Sequence, residues 1–208
     1  MTRQLTDHQL TNNHSAMSKG KLIVISAPSG SGKTTIAKAV MAKYPTIEFS
    51  VSATTRPMRK GEAEGVDYFF LKREEFEKRI KQGMLVEWEE IYGNLYGTLK
   101  SEVDRALSGG RVMLFDIDVK GGLSIKKHYP EALLIFIRLP SFEILKDRLT
   151  KRNTEDPAAL ARRLARVPME LELGTRFDRQ VVNDVLDRAI AEVELLVRKH
   201  TELEPINS

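Results

Sequence analysis

The chain contains no cysteine, which excludes disulfides and any metal held by thiolates. Histidine is scarce as well. His8, His14, His128 and His200 are scattered, with no spacing that would gather them on a metal. No apolar run approaches the length of a membrane span. The first eighteen residues are polar and lack the apolar middle of a secretory signal. They read as a disordered tail (residues 1–18), with Met17 as an alternative start, and a cytoplasmic location is the default expectation. There are no internal repeats and no low-complexity linkers. The formal net charge of +4 is a mild excess. It suits an anionic ligand and is too small to argue for nucleic acid. The remainder, 41% hydrophobic and 30% charged over 208 residues, is an ordinary globular balance.

Short apolar runs are what the sequence does have. KLIVIS (21–26), RVMLFDID (111–118) and ALLIFIRL (132–139) read as buried strands, nearly continuous in apolar residues. FSVSAT (49–54), YFF (68–70), MLVEWEEIY (84–92) and QVVND (180–184) read as further strands. Helices are expected from Lys33, over REEFEKRIKQG, over SEVDRALSGG, over 142–152, from Asp156-Pro157, and at the end of the chain. The last helix carries Val185, Ala189, Val193 and Leu196 on one stripe. Strands alternating with helices predict an α/β fold with a parallel sheet flanked by helices. Two segments break the rhythm. Residues 51–100 look mixed and antiparallel, and residues 143–170 are helical and rich in arginine. The expected division is therefore a core of residues 19–50, 101–142 and 171–208, carrying a mixed insertion (51–100) and a helical lid (143–170).

The strand KLIVIS runs into APSGSGKTT (27–35) and then a helix, the context in which a Walker A motif carries its mechanism. Ala27, Pro28, Ser29, Gly30, Ser31, Gly32, Lys33, Thr34 and Thr35 are expected to cradle the phosphates of ATP. Backbone N–H groups turn inward and the helix N-terminus adds its dipole. Lys33 should reach the β- and γ-phosphates and Thr34 should bind Mg²⁺. Ala27 stands where the first glycine is usual. Asp116 ends a buried strand beside the loop and is expected to face the same ion. A second anion grip is expected from RPMRKGE (56–62). Arg56 and Arg59 offer two planar donor forks, and the Tyr68 and Tyr96 hydroxyls can add donors, together suited to a monophosphate dianion.

SVSATTRPMRKGEAEGVDYFF and its continuation LVEWEEIYGNLYGT resemble the monophosphate grip of the guanylate kinases, and the resemblance runs from about Lys21 to the last helix. It implies transfer of the γ-phosphate of ATP to GMP, and to dGMP as well, with ATP and GMP as small-molecule partners, Mg²⁺ as cofactor, and no nucleic-acid or membrane partner. The state implied is a monomer or homodimer. It points to Glu87 as acceptor of the guanine N1–H and N2–H₂ groups and to Asp118 as a second acid at the base. Ser52 and Thr98 hydroxyls are implied near O6. In the lid, RLTKRNTE and ARRLARV correspond to family runs that supply arginines to the transferred phosphoryl group, here Arg148, Arg152 and Arg163. Arg162 and Arg166 read as a basic face without a partner. Asn183 and Asp184 lie where relatives meet the adenine of ATP, and equally where a helix cap belongs. Lys120 stands where glutamine is more familiar. Two alternatives remain: a catalytically inactive guanylate-kinase-like binding module, and a kinase for another monophosphate.

Overall fold

The computed structural model describes residues 20–151 and 157–206. The expected N-terminal tail and Arg152 lie outside them. A five-stranded parallel sheet forms the centre, from β1 (Lys21–Ser26), β2 (Glu48–Phe49), β7 (Val112–Asp116), β8 (Leu133–Arg138) and β9 (Arg179–Val182). Their order is β2-β7-β1-β8-β9. β1 sits between β7 and β8, with Ile25 level with both Asp116 and Ile135. The period-two geometry of a strand sends its side chains to both faces. Ile23 and Ile25 pack with Ile36 and Val40 of α1 (Lys33–Lys43) and with Val193 and Val197 of α7 (Leu186–Thr201). Leu22 and Val24 pack on the other face with Val103 of α3 (Lys100–Ser108), Ile125 of α4 (Val119–His128) and Phe177. Both faces are covered, so the strands need apolar residues at every position.

A second, mixed sheet holds β3 (Ala53–Thr54), β4 (Phe69–Phe70), β5 (Leu85–Ile91) and β6 (Asn94–Leu99), in the order β4-β3-β6-β5. It packs Ala53, Leu95 and Leu99 on Phe76 of α2 (Arg73–Lys81). α5 (Phe142–Lys151) and α6 (Pro157–Gly174) share a small core of Leu145, Leu149 and Val167. The expected boundary at residue 170 falls inside α6.

Three expectations need correction. FSVSAT is not one strand. Glu48–Phe49 pairs with β7 and Ala53–Thr54 with β4 and β6, so the chain changes sheets at Ser50–Ser52. α4 was not among the expected helices, because Gly121 and Gly122 weaken the helical signal. Both glycines are there for clearance: a Cβ on Gly122 would stand 2.7 Å from the Phe177 ring, and one on Gly121 would stand 2.9 Å from a Glu87 carboxylate oxygen. The stripe of the last helix is Ala189, Val193 and Val197, all fully buried, whereas Val185 is exposed and precedes the helix.

Candidate active site

The glycine loop of residues 27–35 lies at the C-terminal end of β1, where open α/β sheets place their ligands. Gly30 and Gly32 have φ of 88° and 90°, left-handed values that a Cβ would strain. Gly32 caps α1 with no side-chain hydrogen bond, so the first N–H groups of that helix are left for a ligand. Pro28 to Thr35 line a cavity of about 200 Å³. The loop is braced from two sides. Asn183 Nδ2, buried, donates to the Ser31 carbonyl at 2.8 Å. Leu149 of α5 closes over Gly30, where a Cβ would come within 2.9 Å of it.

A larger cavity of about 400 Å³ adjoins the loop, and Ser29 and Lys33 line both. Ten residues expected at the site line it: Ala27, Ser29, Lys33, Ser52, Tyr68, Glu87, Tyr96, Asp116, Asp118 and Arg163. Lys33 pairs with Asp116, and Thr34 Oγ1 donates to Asp116 Oδ2 at 3.0 Å. Burial pushes the Lys33 ammonium down to about 8, with Asp118 and Glu170 pulling the other way. Arg163 Nη1 reaches Ser29 Oγ at 3.4 Å and so ties α6 to the loop.

At the far end, Thr98 Oγ1 donates to Glu87 Oε1 at 2.6 Å, the two residues facing each other across β5 and β6. Burial pushes the Glu87 carboxyl up to about 7, against the Thr98 hydrogen bond. Asp118 is likewise pushed up to about 7 by burial and by its contact with the Glu89 carboxyl, although it caps α4 through the Gly121 N–H at 2.7 Å. Carboxyls that retain protons near neutrality mark sites prepared for a specific partner.

Arg56 is buried rather than solvated. Its guanidinium lies 5.1 Å from the Tyr68 ring centroid and makes a two-pronged pair with Glu62, at 3.0 and 2.8 Å. Glu62 also accepts the Arg59 backbone N–H at 2.8 Å. One carboxylate thus occupies donors of both arginines. The Arg59 side chain is exposed. The Tyr68 and Tyr96 rings meet edge to face at 6.1 Å.

Some expected residues lie elsewhere. Arg148 sits half-buried on α5 and lines neither cavity. Asp184 accepts the Val185 N–H and pairs with Arg188, and neither it nor Asn183 caps α7. The cap reading therefore fails, because the residue preceding that helix is Val185. Arg166, read as a face without a partner, instead lines the large cavity, with Nη2 3.4 Å from both Glu89 Oε1 and Asp118 Oδ2. Arg162 rests over the Tyr92 ring at 5.8 Å. Glu89 and Glu170 also line the cavity and were missed. Two signals were available: Glu87 and Glu89 share a strand face by alternation, and Arg166 and Glu170 stand four apart on a helix.

Fold and site define a class: an α/β protein whose parallel sheet aims a glycine loop at a cavity roofed by a second, mixed sheet. The guanylate kinase family model matches residues 19–200. The chain is 51% identical over 175 residues to a guanylate kinase of Chlorobaculum tepidum, covering 84% of this chain and 90% of the relative. It is 47% identical over 179 residues to one of Chlorobium luteolum, covering 86% and 91%. A crystal structure of guanylate kinase from Anaplasma phagocytophilum superposes with a TM-score of 0.70 at 28% identity, covering 91% of this chain and 92% of that one. The chain belongs to the guanylate kinase family.

Proposed function

We propose that the chain is an ATP:GMP phosphotransferase, in which the loop of residues 27–35 holds ATP and the 51–100 region holds GMP. The observation that carries this reading is the meeting of two cavities at Ser29 and Lys33, one lined by the loop and the other by the acids and tyrosines. Lys33 and the α1 N-terminus take the β- and γ-phosphates. Arg56, Arg59, Tyr68 and Tyr96 hold the GMP phosphate, which displaces Glu62. Glu87 accepts from guanine N1–H and N2–H₂, Asp118 assists it, and Ser52 and Thr98 face O6. A GMP phosphate oxygen attacks the γ-phosphorus as the bond to the bridging oxygen breaks, and ADP leaves with that electron pair. The attacking oxygen is already anionic, so no general base is needed. Catalysis rests on positioning and charge neutralisation. Arg163, Arg148 and Arg152 supply positive charge from the lid, and closure keeps water from the phosphoryl group. Asn183 braces the loop beneath ATP, with Asp184 beside it at the adenine end.

Thr34 and Asp116 present a hydroxyl and a carboxylate oxygen side by side, a hard-oxygen donor set that fits Mg²⁺. That ion, when bound, neutralises charge on the ATP phosphates. The state that belongs to this reading is a monomer or a homodimer. A cytoplasmic location belongs to the same reading.

ADP release measured with GMP, AMP, UMP and CMP tests the reading. Turnover should be confined to GMP. A preference for AMP would overturn the guanine assignment, and no turnover with any of the four would leave a binding module. Arg56→Met should raise KM for GMP about 10–100-fold by removing charged hydrogen bonds to phosphate. KM for ATP should stay within about twofold, because Arg56 lies away from the loop cavity. A collapse of ATP affinity would place the 56–62 loop at the wrong nucleotide.

A further inference from the structure

Glu89 is one of two acids in the cavity, with Glu170, to which the phosphotransfer reading gives no work. It stands two residues beyond Glu87 on β5, on the same strand face, and both line the cavity. The register locates it along the substrate. Glu87 faces Thr98 at the base end, and Glu89 faces Tyr96, one of the two tyrosines at the phosphate end. The interval between base and phosphate in a nucleotide is the ribose.

The partners of Glu89 fit that position. Oε1 is taken by Lys120 Nζ at 3.2 Å and by Arg166 Nη2 at 3.4 Å. Arg166 also holds Asp118 Oδ2 at 3.4 Å and lies 3.7 Å from Glu170 Oε1. Two cations thus offset the charge of Glu89, which otherwise would repel a nearby phosphate. Oε2 is buried and accepts from no N–H or O–H of the described residues. A buried acceptor without a donor is costly, and a sugar hydroxyl is the donor a nucleotide brings to this place.

The geometry points to Glu89 as a ribose-recognition residue, its Oε2 accepting a hydrogen bond from a sugar hydroxyl of GMP while Lys120 and Arg166 hold the carboxylate in place. The inference rests on the assignment of GMP to this cavity. It makes the enzyme selective for the ribonucleotide through a side chain separate from those that read the base.

Steady-state kcat/KM for GMP, 2′-deoxy-GMP and 3′-deoxy-GMP, on the full chain and on Glu89→Ala and Glu89→Gln, tests it. The unmodified enzyme should prefer GMP over at least one deoxy analogue by about tenfold or more, the value of a hydrogen bond to a charged acceptor. In Glu89→Ala that ratio should fall towards one. In Glu89→Gln, which keeps an acceptor of the same shape without the charge, it should lie between. Thermal melts identify a misfolded variant, and the Gln variant then carries the comparison. An unmodified enzyme that treats all three alike overturns the inference while leaving the phosphotransfer reading intact. So does a variant that keeps the original ratio. Failure of the unmodified enzyme to phosphorylate any of the three removes the reading beneath the inference, and the inference with it.

Discussion

Lys33→Met lowers kcat for phosphate transfer from ATP to GMP by about 10³-fold or more, the scale of losing one charged donor aimed at the transition state. Lys33 is the first residue of α1, follows a glycine in the left-handed region, and lines both cavities. Arg163 comes to the loop from α6, at Ser29 Oγ, and so adds to Lys33 rather than standing in its place. Methionine keeps the length and packing of the stem, so folding should survive and a melt will show that it does. Burial holds the free ammonium down to about 8. Above that pH the free enzyme has a neutral Lys33 and must take up a proton to bind phosphates, so ATP affinity should decline as pH rises past about 8. Methionine at 33 should abolish that dependence. Steady-state rates and ATP titrations between pH 7 and pH 9 check both parts, and a variant retaining more than a tenth of the rate would remove Lys33 from the chemistry.

The sequence made the loop and the central sheet legible for a physical reason. β1, β7 and β8 are buried on both faces, so their apolar runs are unbroken, and the glycine loop needs its residue types at fixed spacing. α4 was hidden because Gly121 and Gly122 serve close approach to Glu87 and Phe177, which only the tertiary arrangement reveals. The split of FSVSAT was hidden because two half-buried pairs of residues carry no period long enough to read. Charged cavity residues were the hardest. Glu89, Arg166 and Glu170 sit in segments that resemble solvated faces, and they line the cavity only because α6 brings Arg166 up to Glu89 of β5 and Asp118 beyond β7. Glu87 is singled out by family resemblance alone, since one acid in the run EWEE looks like the next. Arg56 stands out in the sequence, but its pairing with Glu62 does not, although both belong to the same seven-residue stretch.

Glu87→Gln carries the other large effect, a loss in kcat/KM for GMP of about 10²–10⁴-fold, with ATP binding close to unchanged. The carboxylate offers two acceptors to the N1–H and N2–H₂ of guanine. The amide offers one acceptor and sets a donor against a donor, and a buried mismatch of that kind discriminates strongly. Thr98 fixes the orientation, since its hydroxyl occupies Glu87 Oε1 at 2.6 Å. The pH dependence gives an independent signature. Burial holds the Glu87 carboxyl near 7 in the folded protein against an ordinary 4.5. Guanine requires the ionised form, so GMP affinity should rise with pH through about 7 and level off above it, with proton release on binding below that point. Stability runs the opposite way. Between about 4.5 and 7 the folded state retains a proton that the unfolded chain has given up, so stability falls as pH rises across that window. Glutamine has no proton to retain, so the variant should lose less stability than the parent between pH 5 and pH 8. Its remaining GMP binding should climb less steeply with pH, with Asp118, also held near 7, supplying what slope remains. Calorimetric GMP titrations in buffers of different ionisation enthalpy, paired with melts at both pH values, measure the two trends. A Glu87→Gln enzyme that binds GMP as tightly as its parent and melts with the same pH profile would mean that the base is read by some other group.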